Sequence, residues 1–223
     1  MRNILIFGAN GSIGNYIYNK LKLDHNVIGT TRDKSNTDMV YIDFNNIENL
    51  LTIENVDAIV WASGDNCSDN IENLNIELFD DIFEANVKFI LKTLHYLLNN
   101  KKINKNAKMV IVSSIWEKLT RANKLSYTIS KSALSGLVKN IAYDLSKHNI
   151  LINNVLPGVI DNEMTRKALS QEQINYVSSY MYFNRLINLD DVYNAVKYLI
   201  IENTGITGQS INVDLGFTNI KKI

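Results

Sequence analysis

Short apolar runs rich in β-branched residues alternate along this chain with longer stretches of helical spacing. Asn3–Phe7 is apolar at nearly every position, the pattern of a strand covered on both faces. Residues 14–23 follow with helical periodicity, then a second strand over 26–30 and a short third over 40–43. Residues 47–52 read as a short helix, 58–62 as the fourth strand and 78–99 as a long amphipathic helix. A fifth strand over 108–113 precedes a second long helix over 126–147 and a sixth strand over 151–156. The polar stretch 162–183 reads as a short helical insertion. A helix over 189–201 and a strand over Ser210–Val213 end the series. Such alternation implies a parallel sheet with helices packed on both faces. No linker, composition shift or internal repeat interrupts it, so residues 1–223 are read as a single doubly wound α/β domain. In such sheets ligands bind beyond the carboxyl ends of the strands.

Composition narrows the classes. The 223 residues are 46% apolar and 21% charged, enough for one domain whose core needs no staples. Lys+Arg and Asp+Glu stand at 23 each, a balance that argues against binding nucleic acid through phosphate neutralisation. No apolar run reaches the ~18–20 residues of a membrane span. The chain reads from its first residues straight into a strand, so no signal peptide is expected. One cysteine, Cys67, excludes an internal disulfide and suits a reducing cytoplasm. His25, His95 and His148 are scattered, so no metal site is expected.

Gly8-Ala9-Asn10-Gly11-Ser12-Ile13-Gly14 lies between the first strand and the first helix. A turn there that brings backbone close to a pyrophosphate has to lack side chains. Helix N–H groups and the positive end of the helix dipole then hold the anion. The position of this turn, more than its glycine count, points to dinucleotide binding in a Rossmann-type sheet.

A Tyr-x-x-x-Lys pair is weak evidence here, because the chain holds five: Tyr16/Lys20, Tyr18/Lys22, Tyr127/Lys131, Tyr143/Lys147 and Tyr193/Lys197. A serine thirteen residues upstream exists for two of them, Ser114 for Tyr127 and Ser130 for Tyr143. Ser130 and Tyr143 share one helix and so stand about 20 Å apart at 1.5 Å per residue. Ser114 instead follows the fifth strand, with a loop between it and the helix of Tyr127. Only this set can converge at the sheet's carboxyl edge.

With these residues in place the chain resembles the short-chain dehydrogenase/reductase family along essentially its whole length. The resemblance is carried by the glycine turn, Asn86 in Glu84-Ala85-Asn86-Val87, Ser114, Tyr127-Thr128-Ile129-Ser130-Lys131, Asn153 through Pro157-Gly158, and Thr207-Gly208-Gln209. It implies that Tyr127 is the general acid/base, that Lys131 adjusts it and holds the nicotinamide ribose, and that Ser114 bonds the substrate oxygen. Asn86 would support a water that relays protons to Lys131. To act at neutral pH a phenol near pKa 10 has to fall by about three pH units, about 4 kcal/mol, and the Lys131 charge is expected to supply this. The implied cofactor contacts are Gly8, Asn10, Gly11, Ser12, Ile13 and Gly14, then Arg32 and Asp43, Ala62, Ser63 and Gly64, Tyr127 and Lys131, and finally Pro157, Gly158, Ile160 and Asn162.

The chain departs from the family's usual pattern at several points. Its turn is spaced G-x-x-G-x-x-G, with Ser12 where glycine is usual. Trp61-Ala62-Ser63-Gly64 stands where the family has Asn-Asn-Ala-Gly, and Trp61 reads as core rather than as a cofactor-stacking ring. Thr31 occupies the place of the acid that NAD users carry, and Arg32 follows, so NADP is favoured over NAD. Asp33 is expected to pair with Arg32 or Lys34. Asp43 is expected to touch the adenine whichever cofactor binds. The implied activity is an NAD(P)-dependent oxidoreductase that interconverts a carbonyl and a secondary alcohol. The alternatives are a non-catalytic dinucleotide-binding regulator and a nucleotide-sugar epimerase or dehydratase. The substrate pocket is sought in 114–124 and in the 162–183 insertion, among Trp116, Glu117, Arg121, Asn123, Tyr176, Tyr180, Tyr182 and Phe183. That mix admits a sugar, a keto acid or an acyl chain. A homodimer or homotetramer is expected. The two long helices carry more apolar residues than one sheet face can cover, Phe79, Ile82, Phe83, Phe89, Ile90, Leu94, Leu97 and Leu98 on one and Leu134, Leu137, Val138, Ile141 and Leu145 on the other, and the resemblance implies that they pair with their copies across a two-fold axis.

Overall fold

The computed structural model describes residues 1–219. Seven strands, β1 (Asn3–Phe7), β2 (Asn26–Thr31), β3 (Val40–Tyr41), β4 (Val56–Trp61), β5 (Ile103–Val112), β6 (Leu151–Pro157) and β7 (Ser210–Val213), form one all-parallel sheet in the order β3-β2-β1-β4-β5-β6-β7. The order reverses direction between β1 and β4, which pair Ile4 with Ala58 and Phe7 with Trp61. That switch point opens a crevice at the carboxyl edge.

Both faces of the sheet are buried, which is why its strands read as continuous apolar runs. On one face Leu5, Phe7, Ile59, Trp61, Met109 and Ile111 pack against α2 (Ile76–Phe83), α3 (Phe89–Asn99) and α4 (Leu125–Leu145). On the other, Ile4, Ile6, Ala58, Val60, Val110 and Val112 pack against α1 (Ser12–Leu21) and α7 (Leu189–Lys197). Trp61 is core, as its sequence context suggested. It is fully buried, stacks on Phe7 at 5.6 Å and donates its indole N–H to Thr93 Oγ1 at 2.9 Å.

Several boundaries differ from the sequence pattern, each for a local reason. The third strand stops at Tyr41, because the Asp43 carboxylate accepts the N–H groups of Asn45 and Asn46 and turns the chain. The fourth and fifth strands start earlier than their apolar runs. Ile103 pairs with Val56 across a register shift, through a polar stretch in which Asn106 is left-handed at φ 62°. The helix expected over 78–99 begins at Ile76, capped by Asn75, and contains a π-helical turn over Glu84–Lys88 that carries Asn86. The insertion is two helices, α5 (Glu163–Ala168), capped by Asn162, and α6 (Gln171–Ser178), opened by a Ser170/Gln173 capping box.

The apolar surplus expected on the long helices is smaller than the pattern suggests, with Phe79, Phe83, Leu98 and Leu137 only partly buried. Ile82, Phe89, Ile90, Leu94, Leu97, Leu134, Val138, Ile141 and Leu145 are all buried within the chain, because these helices pack on each other as well as on the sheet. The apolar residues they leave exposed are Ile76, Leu78, Leu91, Ile129 and Tyr143. No helix among the described residues is long and apolar enough to cross a membrane, and no cluster of potential metal ligands occurs among them.

Candidate active site

The site is built from segments that follow the carboxyl ends of the strands, β1, β2, β4 and β5 among them. Ser114 lies two residues past β5 and starts a 3-10 turn over Ile115–Glu117, where its Oγ accepts the Trp116 N–H at 3.3 Å. Tyr127 sits in the first turn of α4, near enough to the Ser114 side chain for that hydroxyl to pull its pKa downward. Lys131 follows one turn later, almost fully buried, with Nζ 5.6 Å from the centre of the Tyr127 ring and 3.5 Å from the Val112 carbonyl. The structure therefore brings Ser114, Tyr127 and Lys131 together. The competing set does not form: Tyr143 is 81% exposed, and Ser130 is buried in a bond with Asn86.

Electrostatics at the set differ from the expectation in sign. Burial holds Tyr127 above the ordinary phenol range, against a smaller downward pull from Ser114. Burial also lowers Lys131 to about 8, against the Glu117 carboxylate, which raises it. Desolvation, opposed only by Ser114, thus sets the direction for Tyr127. A phenol kept neutral is a proton donor, and an ammonium held near pKa 8 remains charged at neutral pH.

Asn86 is saturated by the chain itself. Its Oδ1 accepts the Asp65 N–H at 2.8 Å, and its Nδ2 donates to the Asp65 carbonyl and to Ser130 Oγ, both at 2.9 Å. Ser130 Oγ in turn donates to the Tyr127 carbonyl at 2.8 Å. One hydrogen-bonded path therefore runs from the loop after β4 to the helix of Tyr127. Gly64 belongs to this packing, since a Cβ there would lie 2.7 Å from Asn86 Oδ1 and 3.5 Å from Lys131 Nζ.

Across the switch point lies a cleft of about 330 Å³, whose lining includes Gly8, Asn10, Gly11, Arg32, Ala62, Ser63 and Gly64 of the expected cofactor set. Gly8 adopts φ +79°, and a Cβ on it would lie 2.7 Å from the Ser63 nitrogen. A Cβ on Gly14 would lie 2.1 Å from the Gly8 carbonyl oxygen. Helix α1 begins after Gly11 with no side chain capping its first N–H groups, and the buried Ser63 hydroxyl has no partner among the described residues. These open donors fit a dinucleotide pyrophosphate and ribose.

The other expected contacts lie around the cleft or serve the fold. Asn162 caps α5 and donates to Ser12 Oγ at 3.3 Å, tying the insertion to the glycine turn. Ile13 packs against the core, Gly158 donates to the Val213 carbonyl, and Ile160 bridges to Ile187. Asp43 does not line the cleft; it accepts from Tyr41 and from its own turn. Asp33 pairs with neither Arg32 nor Lys34, because it accepts both the N–H and the hydroxyl of Ser35. Glu117 leaves the expected substrate pocket. It is buried and accepts from Ser210 Oγ and Asn154 Nδ2.

The sequence reading missed residues whose partners are remote in the chain. Asp69, buried, accepts from the Ser126 N–H and hydroxyl and so caps α4 from another loop. Lys124, also buried, donates to Asn66 Oδ1 at 2.7 Å and to the Cys67 carbonyl at 2.9 Å, with Nζ 5.6 Å from the Tyr127 ring centre. Asp65 meets Arg32. None lies in a local motif that marks it.

Lys131 gives a stability prediction. Its folded pKa of about 8 lies below the unfolded value of 10.5. Between these the unfolded chain binds more protons, so stability rises with pH; below about 8 the full cost of the buried charge is present. Lys131→Met is expected to raise the stability of the fold at pH 7 by about 3 kcal/mol, with the gain disappearing as pH rises through 10.5. Denaturant melts of both proteins at pH 7 and pH 10 measure this, and an equal or lower midpoint for Lys131→Met at pH 7 contradicts it.

With this geometry in view, comparison with known proteins gives one answer. A family model described as "Enoyl-(Acyl carrier protein) reductase" matches residues 38–218. A 3-oxoacyl-[acyl-carrier-protein] reductase of Rickettsia bellii is 29% identical, covering 95% of each chain. One from Mycobacterium tuberculosis is 27% identical over 96% of this chain and 92% of its own. Among solved structures, a short-chain dehydrogenase family protein from Francisella tularensis superposes with a TM-score of 0.86 at 24% identity, covering 98% of this chain and 99% of its own. An actinorhodin polyketide ketoreductase variant with NADPH superposes with a TM-score of 0.87 at 21% identity, covering 98% of both. The strand order, the glycine turn, the convergent serine, tyrosine and lysine and the match over most of its length make this chain a member of the short-chain dehydrogenase/reductase family of NAD(P)-dependent oxidoreductases.

Proposed function

We propose that the chain is an NADP-dependent reductase that turns a carbonyl into a secondary alcohol, with Tyr127 as proton donor and a 3-oxoacyl thioester as substrate. The observation that carries this reading is the convergence of Ser114, Tyr127 and a buried Lys131 beside the dinucleotide cleft. The thioester is favoured because the relatives that align over nearly the whole chain carry 3-oxoacyl-[acyl-carrier-protein] reductase as their name. The same names favour a reductase over a regulator or a nucleotide-sugar epimerase. Thr31 and Arg32 at the end of β2 offer no acid to a 2′-phosphate, and a fold neighbour is described with NADPH bound.

When bound, the nicotinamide supplies the hydride. Tyr127, kept neutral by burial, gives its proton to the carbonyl oxygen as negative charge develops there. Ser114 donates a hydrogen bond to the same oxygen. The Lys131 ammonium stabilises the tyrosinate that results. Asn86 occupies the position of the proton relay; because its side-chain amide is already engaged by Asp65 and Ser130, its contribution is to hold the loop and helix in register.

Tyr127→Phe keeps the ring and removes the transferable proton. Turnover of a 3-oxoacyl thioester with NADPH is expected to fall about 10²–10⁴-fold, with NADPH binding retained. Full activity in Tyr127→Phe, together with loss in Tyr143→Phe, overturns the assignment. Assembly is a separate proposal, a homodimer or homotetramer formed through α2, α3 and α4, supported by the exposed Leu91, Ile129 and Tyr143 and by the family's habit of pairing these helices. Light scattering at micromolar concentration is expected to give two or four times the chain mass; a monomer contradicts it.

A further inference from the structure

We propose that Asp65 sets the strength of NADP discrimination in this chain, by competing with the 2′-phosphate for Arg32. The inference rests on the NADP reading above and concerns the same cleft. Arg32 lies just past the end of β2, with its guanidinium 5.0 Å from the centre of the Phe44 ring and Nη1 3.6 Å from Asp65 Oδ2. The two residues come from opposite sides of the switch point, Arg32 after β2 and Asp65 after β4, and both line the cleft. Their ion pair therefore spans the place where the adenosine end of a dinucleotide enters.

The carboxylate is not there by the chance swing of a loose loop. Asn86 holds the Asp65 backbone at both its N–H and its carbonyl, so the side chain starts from a fixed point. The nearer acid in sequence, Asp33, is turned away into its bonds with Ser35. The other nearby cation, Lys34, sits 5.2 Å from the Tyr41 ring centre. Arg32 is thus the guanidinium open to a phosphate, and Asp65 is the acid already beside it.

Both side chains are about half exposed, 58% and 47%. An exposed ion pair contributes little to the fold, so Arg32 can exchange partners at small cost. The exchange leaves Asp65 beside a group carrying almost two negative charges, which opposes binding. NAD has no such group and meets neither effect. Asp65 consequently penalises NADP selectively, and removing its charge strengthens the preference for NADP.

The test measures dissociation constants of NADPH, NADH and 2′,5′-ADP by calorimetry for the parent, Asp65→Asn, Arg32→Ala and the double variant, at low and high salt. Asp65→Asn is expected to tighten NADPH and 2′,5′-ADP about three- to tenfold and to leave NADH within about twofold. The gain is expected to vanish in the Arg32→Ala background and to shrink at high salt. Unchanged or weaker NADPH binding in Asp65→Asn overturns the proposal, as does equal tightening of NADH. The NADP reading fails separately if the parent binds NADH more tightly than NADPH. In that case a shift towards NADPH in Asp65→Asn still supports the role of Asp65, and no shift overturns it.

Discussion

The burial of one ammonium group, that of Lys131, is the constraint around which the rest of this structure is arranged. A lysine with almost no exposure costs folding free energy, and its lowered pKa measures part of that cost. The surrounding residues make the placement possible. Gly64 leaves the space beside Nζ that a side chain would fill. Glu117, itself buried and fixed by Ser210 and Asn154, supplies the opposing charge. Tyr127 presents its ring to the same ammonium and, behind it, to Lys124. Groups that would be liabilities in an ordinary core are concentrated at one edge of the sheet, where they are useful.

That edge is held by side chains that bond to backbone far away in sequence. Asn86 grips the Asp65 backbone and, through Ser130, the carbonyl of Tyr127. Asp69 caps α4 from the loop after β4, and Lys124 ties the same loop at Asn66 and Cys67. The cleft at the switch point and Tyr127 are therefore parts of one bonded unit. The π-helical turn at Glu84–Lys88 belongs to this unit, since it carries Asn86 in the middle of a long helix.

What was legible in the sequence follows from which interactions are local. Strands buried on both faces write continuous apolar runs, so β1, β4, β6 and the sheet type could be read directly. The glycine turn was legible because it sits between a strand and a helix and Gly14 answers to the nearby Gly8 carbonyl, whereas the contact that demands glycine at Gly8 comes from Ser63, far along the chain. Ser114, Tyr127 and Lys131 were found by spacing, once geometry had excluded Ser130 and Tyr143. The polar start of β5 was not legible, because its pairing with Val56 passes through a bulge and no apolar periodicity marks it. Nor were Asp65, Asp69 and Lys124, whose meaning comes entirely from partners brought in by folding. The apolar surplus of the long helices was legible only in part, because helix–helix packing buries most of it and leaves Phe79, Phe83, Leu98 and Leu137 partly covered. The direction of the Tyr127 shift was misjudged for a related reason, since the cost of desolvation is set by burial that no motif records.

In the proposed mechanism Tyr127 donates its proton beside Lys131, a cation whose pKa lies at about 8. Its charge state can be followed in turnover. The most direct measurement is the pH dependence of kcat for NADPH-driven reduction of a 3-oxoacyl thioester between pH 6 and pH 10. The account predicts a plateau through neutrality and a fall above about pH 8, as Lys131 loses the proton that stabilises the tyrosinate. A rate that stays level to pH 10, or one that rises through pH 8, would contradict it.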